Sequence, residues 1–328
     1  MPDHLPSFSI VLPVYNRLQY LTTAVESVIS QTYRDWNLWI SDDNSDLPTK
    51  LYLEQIKHPQ IQIQFNPHNL GLFANLNQAI RLSDRPYILL LCSDDYLLPD
   101  GLAQLAEKIK RYREAGLLLS AFKMIDGHDQ EITSGSEFYN QQLTRGQTER
   151  LLSPQDSLPL LLKFGSINGN LTGMCFKRSL FIEIGEFRCD WRHAADWEWV
   201  YRACATTEVL ISNQAIASVR EHPTQLSATN FYNISNSLEV IAMVGMLLHH
   251  PINQKIPQAK TWALHILQFH LWFSLKFWRQ GETAKAKQII QAIAQIMPLS
   301  AVTWQMLKWL PTRLQVALGM IDFSSPPD

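Results

Sequence analysis

Apolar segments that alternate with amphipathic ones run through the first 120 residues, and this pattern constrains the fold more than any other feature. Phe8–Val14 and Tyr87–Cys92 are almost wholly apolar, as strands buried on both faces are. Apolar residues at helical spacing predict helices over Leu18–Ile29, Leu72–Leu82 and Leu102–Tyr112. A mostly parallel sheet between helices fits this alternation, so the predicted fold class is α/β.

Weaker signals extend the same pattern along the chain. They predict four more strands and one more helix: Trp36–Ile40, Ile61–Phe65, Leu171–Phe176 and Val209–Ser212 for the strands, and Asp196–Cys204 for the helix. The polar stretch 126–157 carries few apolar residues. We expect a long surface loop or lid there, because loops of that length are usually functional or mobile.

The chain changes character after about residue 230. Residues 231–328 carry eight Lys/Arg against four Asp/Glu, whereas the whole chain has a net charge of −2. Four segments with helical periodicity, marked off by prolines, lie near 236–248, 258–279, 283–296 and 300–318. These features predict two domains, an α/β domain over residues 1–230 and an α-helical C-terminal extension over residues 231–328.

Composition argues against several classes of protein. The nearly balanced charge argues against a nucleic-acid partner. The four cysteines form no C-x-x-C pair, which argues against a structural zinc site and suits a reducing compartment. Residues 1–6 lack the basic and apolar regions that open a signal peptide. The expected localisation is therefore the cytoplasm.

The stretch Trp262–Trp278 is apolar but is interrupted by polar residues, and it is shorter than a membrane span. Two interpretations stay open for it. One is burial between the helices of the extension, since a helix that is apolar all round is usually buried. The other is a face in peripheral contact with a membrane, helped by the positive charge of the extension. The second would put the protein at the inner face of a membrane.

Two acidic pairs follow predicted strands, Asp42-Asp43 and Asp94-Asp95. Ligands of open parallel sheets bind beyond the carboxyl ends of the strands, so both pairs fall where a ligand is expected. Neighbouring carboxylates repel each other unless a cation or hydrogen bonds intervene, and their hard oxygens suit Mg²⁺ or Mn²⁺. The pattern predicts a site for a metal and a phosphorylated ligand. The alternative is that these aspartates cap helices or form turns.

Glycine-rich phosphate-binding motifs are missing from the sequence. It contains no G-x-G-x-x-G fingerprint and no P-loop, and it also lacks the G-x-S-x-G elbow of hydrolases. The phosphates of a bound nucleotide are therefore expected to be held by a metal and by side chains.

Five ordered blocks of the sequence resemble the motifs of family-2 inverting glycosyltransferases. They are Ile10–Asn16 with Ser27–Tyr33 and Trp39–Ser45; Asn69–Gly71 with Asn77–Ala79; Leu91–Leu102, which is similar to the D-x-D region; Gly185–Phe187 with Ala195–Glu198; and Arg220–His222 with Ser227. The resemblance implies a GT-A fold, that of the nucleotide-diphospho-sugar transferases. It also implies a nucleotide-sugar donor, usually a UDP sugar, and a divalent metal, Mn²⁺ or Mg²⁺.

The same resemblance implies roles for particular residues. Those that match nucleotide-binding positions are Pro13, Tyr15, Asn16, Asp42, which would face the base, and Asp94. Asp95 and His222 match positions at the metal. Asp196 matches the general base, and Trp197 and Glu198 follow it on the acceptor side.

Two departures from the family pattern concern the site directly. Cys92 occupies the place of the first Asp of D-x-D, and Ala195 stands where a Glu is common, which leaves Glu198 as the candidate for a supporting carboxylate. The expected function is transfer of a hexose from UDP-hexose to a glycan, lipid-linked or protein acceptor. The alternative is a non-catalytic nucleotide-sugar-binding or scaffold protein with a helical interaction module, in which Cys92 would be a sign of decay.

Overall fold

The structure is a computed structural model that describes residues 5–132, 141–222, 225 and 233–310. Within these residues the chain forms two compact units. The first takes in the described residues up to Ser157 and from Ser166 to Gln225. The second takes in Leu158–Gly165 and the described residues from 233 to 310.

A mixed sheet forms the frame of the first unit and contains nine strands in the described part of the chain. The strands are β1 (Phe8–Val14), β2 (Trp36–Asp42), β3 (Ile61–Phe65), β4 (Tyr87–Leu90), β5 (Tyr96–Leu97), β6 (Ala115–Ile125), β7 (Glu149–Leu152), β8 (Met174–Lys177) and β9 (Glu208–Arg220). They lie in the order β3-β2-β1-β4-β8-β6-β9-β5, and β7 also pairs with β9.

The directions of the strands decide which residues can meet. β3, β2, β1 and β4 are parallel neighbours, and β6 is parallel to β9. β8 is antiparallel to both β4 and β6, so β6 and β9 point the same way as the first four strands. The carboxyl ends of β1, β2, β4 and β9 therefore lie at one edge of the sheet, the edge at which such sheets bind ligands.

Residues 141–144 are helical, and seven further helices of the described chain begin before residue 200. They are α1 (Leu18–Ile29), α2 (Leu47–Gln55), α3 (Leu72–Leu82), α4 (Gly101–Arg111), α5 (Pro154–Phe164), α6 (Arg178–Ile184) and α7 (Ala195–Thr206). All seven residues of β1 are buried, because helices cover both faces of the central strands. α1 buries the apolar stripe that its spacing predicted, which includes Leu21, Val25 and Val28. The predictions of β1, α1 and α3 are confirmed with their bounds.

The prediction of a long loop over 126–157 is wrong for its second half. Residues 149–152 form β7, which pairs antiparallel with β9, and α5 begins at Pro154. Leu152 and Leu158 are fully buried there. β7 has only four residues, which is too few to show a periodic pattern in the sequence. Its partner strand, β9, lies far along the chain, so the pairing could not be predicted from the segment itself. Residues 133–140 lie outside the described part of the chain.

The second unit is helical. Its elements after residue 232 are α8 (Ile234–His249), α9 (Pro251–Gln254), α10 (Ala259–Arg279), α11 (Thr283–Ile296) and α12 (Leu299–Lys308). α10 packs against α8, α11 and α12. It buries a stripe that includes Ala263, Leu267 and Leu271, yet Trp272 and Trp278 are 41% and 64% exposed. Among the described residues, none of the helices has the length and apolarity needed to cross a membrane.

Candidate functional site

Asn16 ties the loop after β1 to the loop after β2. Its backbone N–H donates to Ser45 Oγ over 2.7 Å, and its Oδ1 accepts from the Asp46 N–H over 2.8 Å. Asn16 and Arg17 both have left-handed backbone angles, with φ of 60° and 64°. Such residues cost of order 1–2 kcal/mol each outside glycine, and they cluster at functional sites. The turn therefore has one fixed shape.

The other two predicted nucleotide-binding residues of this segment lie beside that turn. Pro13 is a buried residue of β1 and pairs in register with Ser41 of β2. Tyr15 follows the strand, and its side chain is 53% exposed at the ligand-binding edge. An exposed aromatic ring at the end of a buried strand offers a surface on which a planar base can stack.

Asp42 is the last residue of β2 and is fully buried. Its Oδ2 accepts a hydrogen bond from the Ser45 N–H over 3.1 Å. Its Oδ1 has no hydrogen-bond partner among the described residues. A buried acceptor left unpaired costs about 1–3 kcal/mol. This oxygen is therefore suited to receive an N–H group from a ligand.

Asp43, next along the chain, has a different environment. Its Oδ1 accepts from the Leu70 N–H over 2.8 Å and from Asn66 Nδ2 over 3.1 Å, and its Oδ2 accepts from the Gly71 N–H over 2.9 Å. Backbone amides that converge on a carboxylate hold a loop in place. Asp43 thus fixes the start of α3, a role that the sequence pattern did not separate from that of Asp42.

Asp94 follows β4 at the same edge and stays 17% exposed. Its Oδ2 lies 2.5 Å from Arg17 Nη1 and 3.1 Å from His222 Nε2. His222 follows β9, and its ring packs against Tyr20 at a tilt of 37°, with centroids 5.3 Å apart. The parallel course of β4 and β9 thus brings together two residues that are far apart in the sequence, as the family motifs implied.

Asp95 is buried, and both of its carboxylate oxygens accept hydrogen bonds. Thr172 Oγ1 donates to Oδ2 over 2.5 Å, and the Arg220 N–H donates to Oδ1 over 2.9 Å. Burial and then the charge of Asp94 raise the pKa of Asp95 to about 7. The Asp95 side chain therefore joins the end of β4 to β8 and β9.

Cys92 completes a group with the two aspartates, in which one ligand atom from each lies within 4.8 Å of the others. Burial, followed by the charges of Asp95 and Asp94, raises the pKa of the Cys92 thiol well above its usual value. Sulfur is also a softer ligand than a carboxylate oxygen, so Cys92 suits Mg²⁺ or Mn²⁺ less well than the aspartate of the family pattern would.

Asp196 lies in the first turn of α7, and its Oδ2 accepts a hydrogen bond from Asn168 Nδ2 over 3.0 Å. α7 is held by Trp199, which is fully buried and packs on Phe187 and Phe176 with centroids 5.0 Å and 4.6 Å apart. Packing of this kind fixes the direction in which the start of the helix points.

The segment 166–173 joins Asp196 to the aspartates after β4. It supplies Asn168 at one end and Thr172 at the other, and Asn170 Oδ1 accepts from the Thr172 N–H over 2.9 Å. Sequence reasoning missed Asn168 and Thr172, as well as Arg17. No motif marks the first two, whereas Arg17 stands directly after a block that resembles the family.

The two residues after Asp196 are buried. Glu198 forms an ion pair with Arg202, with Oε1 2.9 Å from Nε, and the Arg202 guanidinium also donates to the Glu186 carbonyl over 2.6 Å. Glu198 thus anchors the segment before α7, and its described hydrogen bonds do not go to Asp196. Trp197 is 5% exposed, and its indole N–H has no partner among the described residues.

Comparison with known proteins assigns the chain to a family. A family model described as Glycosyl transferase family 2 matches residues 9–184, more than half of the chain. The chain belongs to glycosyl transferase family 2. The match includes the segments that carry Asn16, Asp42 and Asp94, whereas Asp196 and His222 lie beyond it.

Curated relatives of this family 2 chain match it over part of their length. The chondroitin synthase of Escherichia coli is 30% identical over 133 residues, which are 40% of this chain and 19% of that protein. The UDP-Glc:alpha-D-GlcNAc-diphosphoundecaprenol beta-1,3-glucosyltransferase WfgD of Escherichia coli is 29% identical over 102 residues, 31% of this chain and 40% of that protein. The chain thus spans well under half of either relative.

Solved structures resemble the family 2 chain over nearly its whole length. The crystal structure of S. aureus TarS 1-349 has a TM-score of 0.66 at 17% identity and covers 96% of this chain and 88% of its own. The same protein in complex with UDP-GlcNAc has a TM-score of 0.67 at 17% identity and covers 95% of this chain and 92% of its own. These likenesses confirm the predicted GT-A fold and the helical C-terminal region.

The donor set in this family 2 site fits a divalent cation through two residues. Asp94 Oδ2 and His222 Nε2 lie 3.1 Å apart. Adjacent ligand atoms around an octahedral ion, each bound at about 2.1 Å, are about 3 Å apart, so the spacing suits Mg²⁺ or Mn²⁺. Asp95, the other residue predicted at the metal, belongs to the group of possible ligand atoms with Asp94, and its two oxygens also accept hydrogen bonds from Thr172 and the Arg220 N–H.

Proposed function

We propose that the chain is an inverting glycosyltransferase that moves a hexose from a UDP-hexose donor to a hydroxyl of a glycan, lipid-linked or protein acceptor. One observation carries the proposal: Asp42, whose buried Oδ1 has no partner among the described residues, ends its strand at the same edge of the sheet as the Asp94–His222 pair. The segment 166–173 links that pair to Asp196. The name of WfgD and the TarS complex favour UDP as the nucleotide.

Asp42 and the turn at Asn16 would bind the uracil end of the nucleotide. The buried Asp42 Oδ1 accepts the N3–H of uracil, which satisfies an oxygen that lacks a partner among the described residues. Tyr15 offers its exposed ring beside the base, and Pro13 and Asn16 keep the loop after β1 in the shape that leaves room for it. A metal and side chains would hold the diphosphate in place of a glycine-rich cradle.

Asp94 and His222 would hold a divalent metal at the diphosphate. When bound, the metal stabilises the negative charge that gathers on the leaving diphosphate. Asp95 keeps the strand end in place through Thr172 and the backbone of Arg220, so it acts on the metal position through Asp94.

Asp196 supplies the base of the reaction. Its carboxylate takes the proton of the acceptor hydroxyl as that oxygen forms a bond to the anomeric carbon. The bond from the anomeric carbon to the diphosphate oxygen breaks in the same displacement, and UDP leaves with the bonding electrons. A single displacement inverts the anomeric centre, and no covalent enzyme intermediate forms. The Asn168 amide orients the carboxylate by its hydrogen bond to Oδ2.

Calorimetric titration with UDP, with and without Mn²⁺, tests the donor site. We expect binding that strengthens with Mn²⁺ in the unmodified protein and falls at least tenfold in Asp94→Asn. Asp84→Asn, a change at an exposed carboxylate of the same unit, should bind as the unmodified protein does. No binding of UDP under either condition would contradict the proposed donor. UDP binding without any turnover would favour the non-catalytic alternative.

We also propose that the exposed face of α10 makes a peripheral contact with an anionic membrane. Trp272, Leu275 and Trp278 are 41%, 38% and 64% exposed and recur every three residues along the helix. Lys276 and Arg279 lie among them in the last turn. Tryptophan prefers the boundary between lipid and water, and basic side chains attract anionic headgroups. A lipid-linked acceptor would be presented at such a surface.

Co-sedimentation with vesicles tests this contact. The protein should bind vesicles with about 30% phosphatidylglycerol and lose that binding in phosphatidylcholine alone. Trp278→Ser with Arg279→Gln should weaken binding at least several-fold. Ile182→Ser, which removes a side chain that is 65% exposed in the first unit, should leave it unchanged. Equal binding by all three proteins would contradict the contact.

A further inference from the structure

The guanidinium of Arg17 lies against both side chains that fit a metal. Arg17 Nη1 is 2.5 Å from Asp94 Oδ2 and 3.1 Å from His222 Nε2, and those two atoms are 3.1 Å from each other. The three atoms thus form a small triangle with a cationic group at one corner. The side chains of Arg17, Asp94 and His222 are 25%, 17% and 4% exposed, so the triangle is mostly shielded from water.

The three side chains of the triangle differ in which of them can donate a hydrogen bond and which can accept one. A guanidinium has no acceptor, so Arg17 Nη1 donates to whichever atoms it contacts. The direction at His222 Nε2 depends on the tautomer: this nitrogen accepts from Arg17 in the ring that carries its proton on Nδ1, and donates to Asp94 Oδ2 in the ring that carries it on Nε2. In the first tautomer, a lone pair of His222 and a lone pair of Asp94 converge on the Arg17 guanidinium. A divalent metal would meet the same two atoms, Asp94 Oδ2 and His222 Nε2.

Arg17 is held in this position by the backbone. Its carbonyl accepts the N–H groups of Tyr20 and Leu21, which open α1, and its φ of 64° turns the side chain out of the helix. The neighbouring Asn16 is tied to Ser45 and Asp46, so the turn has little freedom. The contact with Asp94 is therefore a property of the folded loop and not of a loose surface side chain.

We infer that the Arg17 guanidinium is the resident cation of the donor-free site and that it competes with the metal for Asp94 and His222. A divalent ion and a guanidinium repel each other when both face the same carboxylate oxygen. The ion alone must therefore displace Arg17 at a cost. An ion that arrives with a diphosphate brings oxygens to which the displaced guanidinium can bind. Metal and nucleotide therefore enter together, an inference that rests on the proposed function for the identity of the nucleotide.

Mn²⁺ binding without nucleotide tests the competition directly. Free Mn²⁺ is measured by electron paramagnetic resonance during titration of the unmodified protein, Arg17→Gln and the control Arg81→Gln, which breaks an exposed ion pair with Glu186. We expect Arg17→Gln to bind Mn²⁺ alone about fivefold to tenfold more tightly than the unmodified protein, because the ion pair no longer opposes it. The control should bind as the unmodified protein does. Equal or weaker Mn²⁺ binding by Arg17→Gln would overturn the inference.

Repeating the titration with UDP gives a second readout, and its main result comes from the unmodified protein alone. UDP should strengthen Mn²⁺ binding to the unmodified protein at least tenfold. The effect should be much smaller in Arg17→Gln, since the variant has no guanidinium that can bind the diphosphate. Absence of this coupling in the unmodified protein would overturn the inference even if the variant fails to fold. The proposed function fails separately, when UDP itself does not bind by calorimetry.

Discussion

The neighbouring carboxylates of Asp42 and Asp43 should respond in opposite ways to the same substitution. Asp43→Asn replaces one carboxylate oxygen by an NH₂ group. If the amide oxygen stays with the Leu70 N–H and Asn66, the new NH₂ faces the Gly71 N–H, which donates to Oδ2 over 2.9 Å in the folded protein. Two donors then oppose each other in a buried place, and the charge that strengthened the other hydrogen bonds is lost.

The magnitude follows from those contacts. Loss of one charge-assisted hydrogen bond and weakening of two more should lower the free energy of unfolding by about 3 kcal/mol. For a unit of about 200 residues this lowers Tm by roughly 6–12 °C. Asp42→Asn keeps an oxygen for the Ser45 N–H and puts its NH₂ where the carboxylate oxygen already has no partner in the described part of the chain, so stability should change by less than about 1 kcal/mol.

For the affinity for UDP, Asp42→Asn should have the larger effect and Asp43→Asn the smaller one. Asp42→Asn removes the charged acceptor for the base and should weaken binding by about 10-fold to 150-fold, the equivalent of about 1.5–3 kcal/mol. Asp43→Asn should bind normally at a temperature at which it is folded. Differential scanning calorimetry and isothermal titration of both variants make the comparison. A stable Asp43→Asn protein, or an Asp42→Asn protein with unchanged affinity, would refute the distinction between these two residues.

Two further predictions concern burial. Burial lowers the pKa of His270 from 6.5 to about 4, so the folded protein resists protonation that the unfolded chain accepts. The stability due to the neutral ring is complete above pH 6.5 and is lost as the pH falls towards 4. Urea unfolding should show a decrease of up to roughly 3 kcal/mol over that range, and His270→Gln should show little of it. For the thiols, burial raises the pKa of Cys204 to about 12 and also raises those of Cys92 and Cys175, whereas Cys189 is exposed. Ellman's reagent at pH 8 should therefore titrate one thiol per native chain and four in denaturant, and a second fast thiol would contradict this.

Much of the first unit could be predicted because local patterns and tertiary burial agree there. β1 is apolar on both faces since it lies inside the sheet, and α1 has one apolar stripe since it covers that sheet on one side. β7 could not be predicted in this way. Its four residues become a strand only because β9 offers an edge to pair with, and that pairing is invisible in the segment itself.

In the site, too, the sequence of a segment does not reveal the contacts that it makes with distant residues. Asp42 and Asp43 look alike in the sequence, and their roles differ because the backbone of Leu70 and Gly71 reaches only one of them. Motif resemblance points to Asp94 and His222, and the two residues are in contact because the carboxyl ends of parallel strands meet at one edge. It could not reveal Asn168, whose contact with Asp196 depends on the path of the segment 166–173.

Transfer with and without the carboxylate of Asp196 tests the central claim most directly. Release of UDP from UDP-hexose donors in the presence of an acceptor would be measured for the unmodified protein and for Asp196→Asn, with the affinity for UDP determined on the same samples. The account predicts turnover at least 100-fold lower in Asp196→Asn at nearly unchanged UDP affinity, because the variant binds the donor but lacks the base. Equal turnover by the two proteins would contradict it.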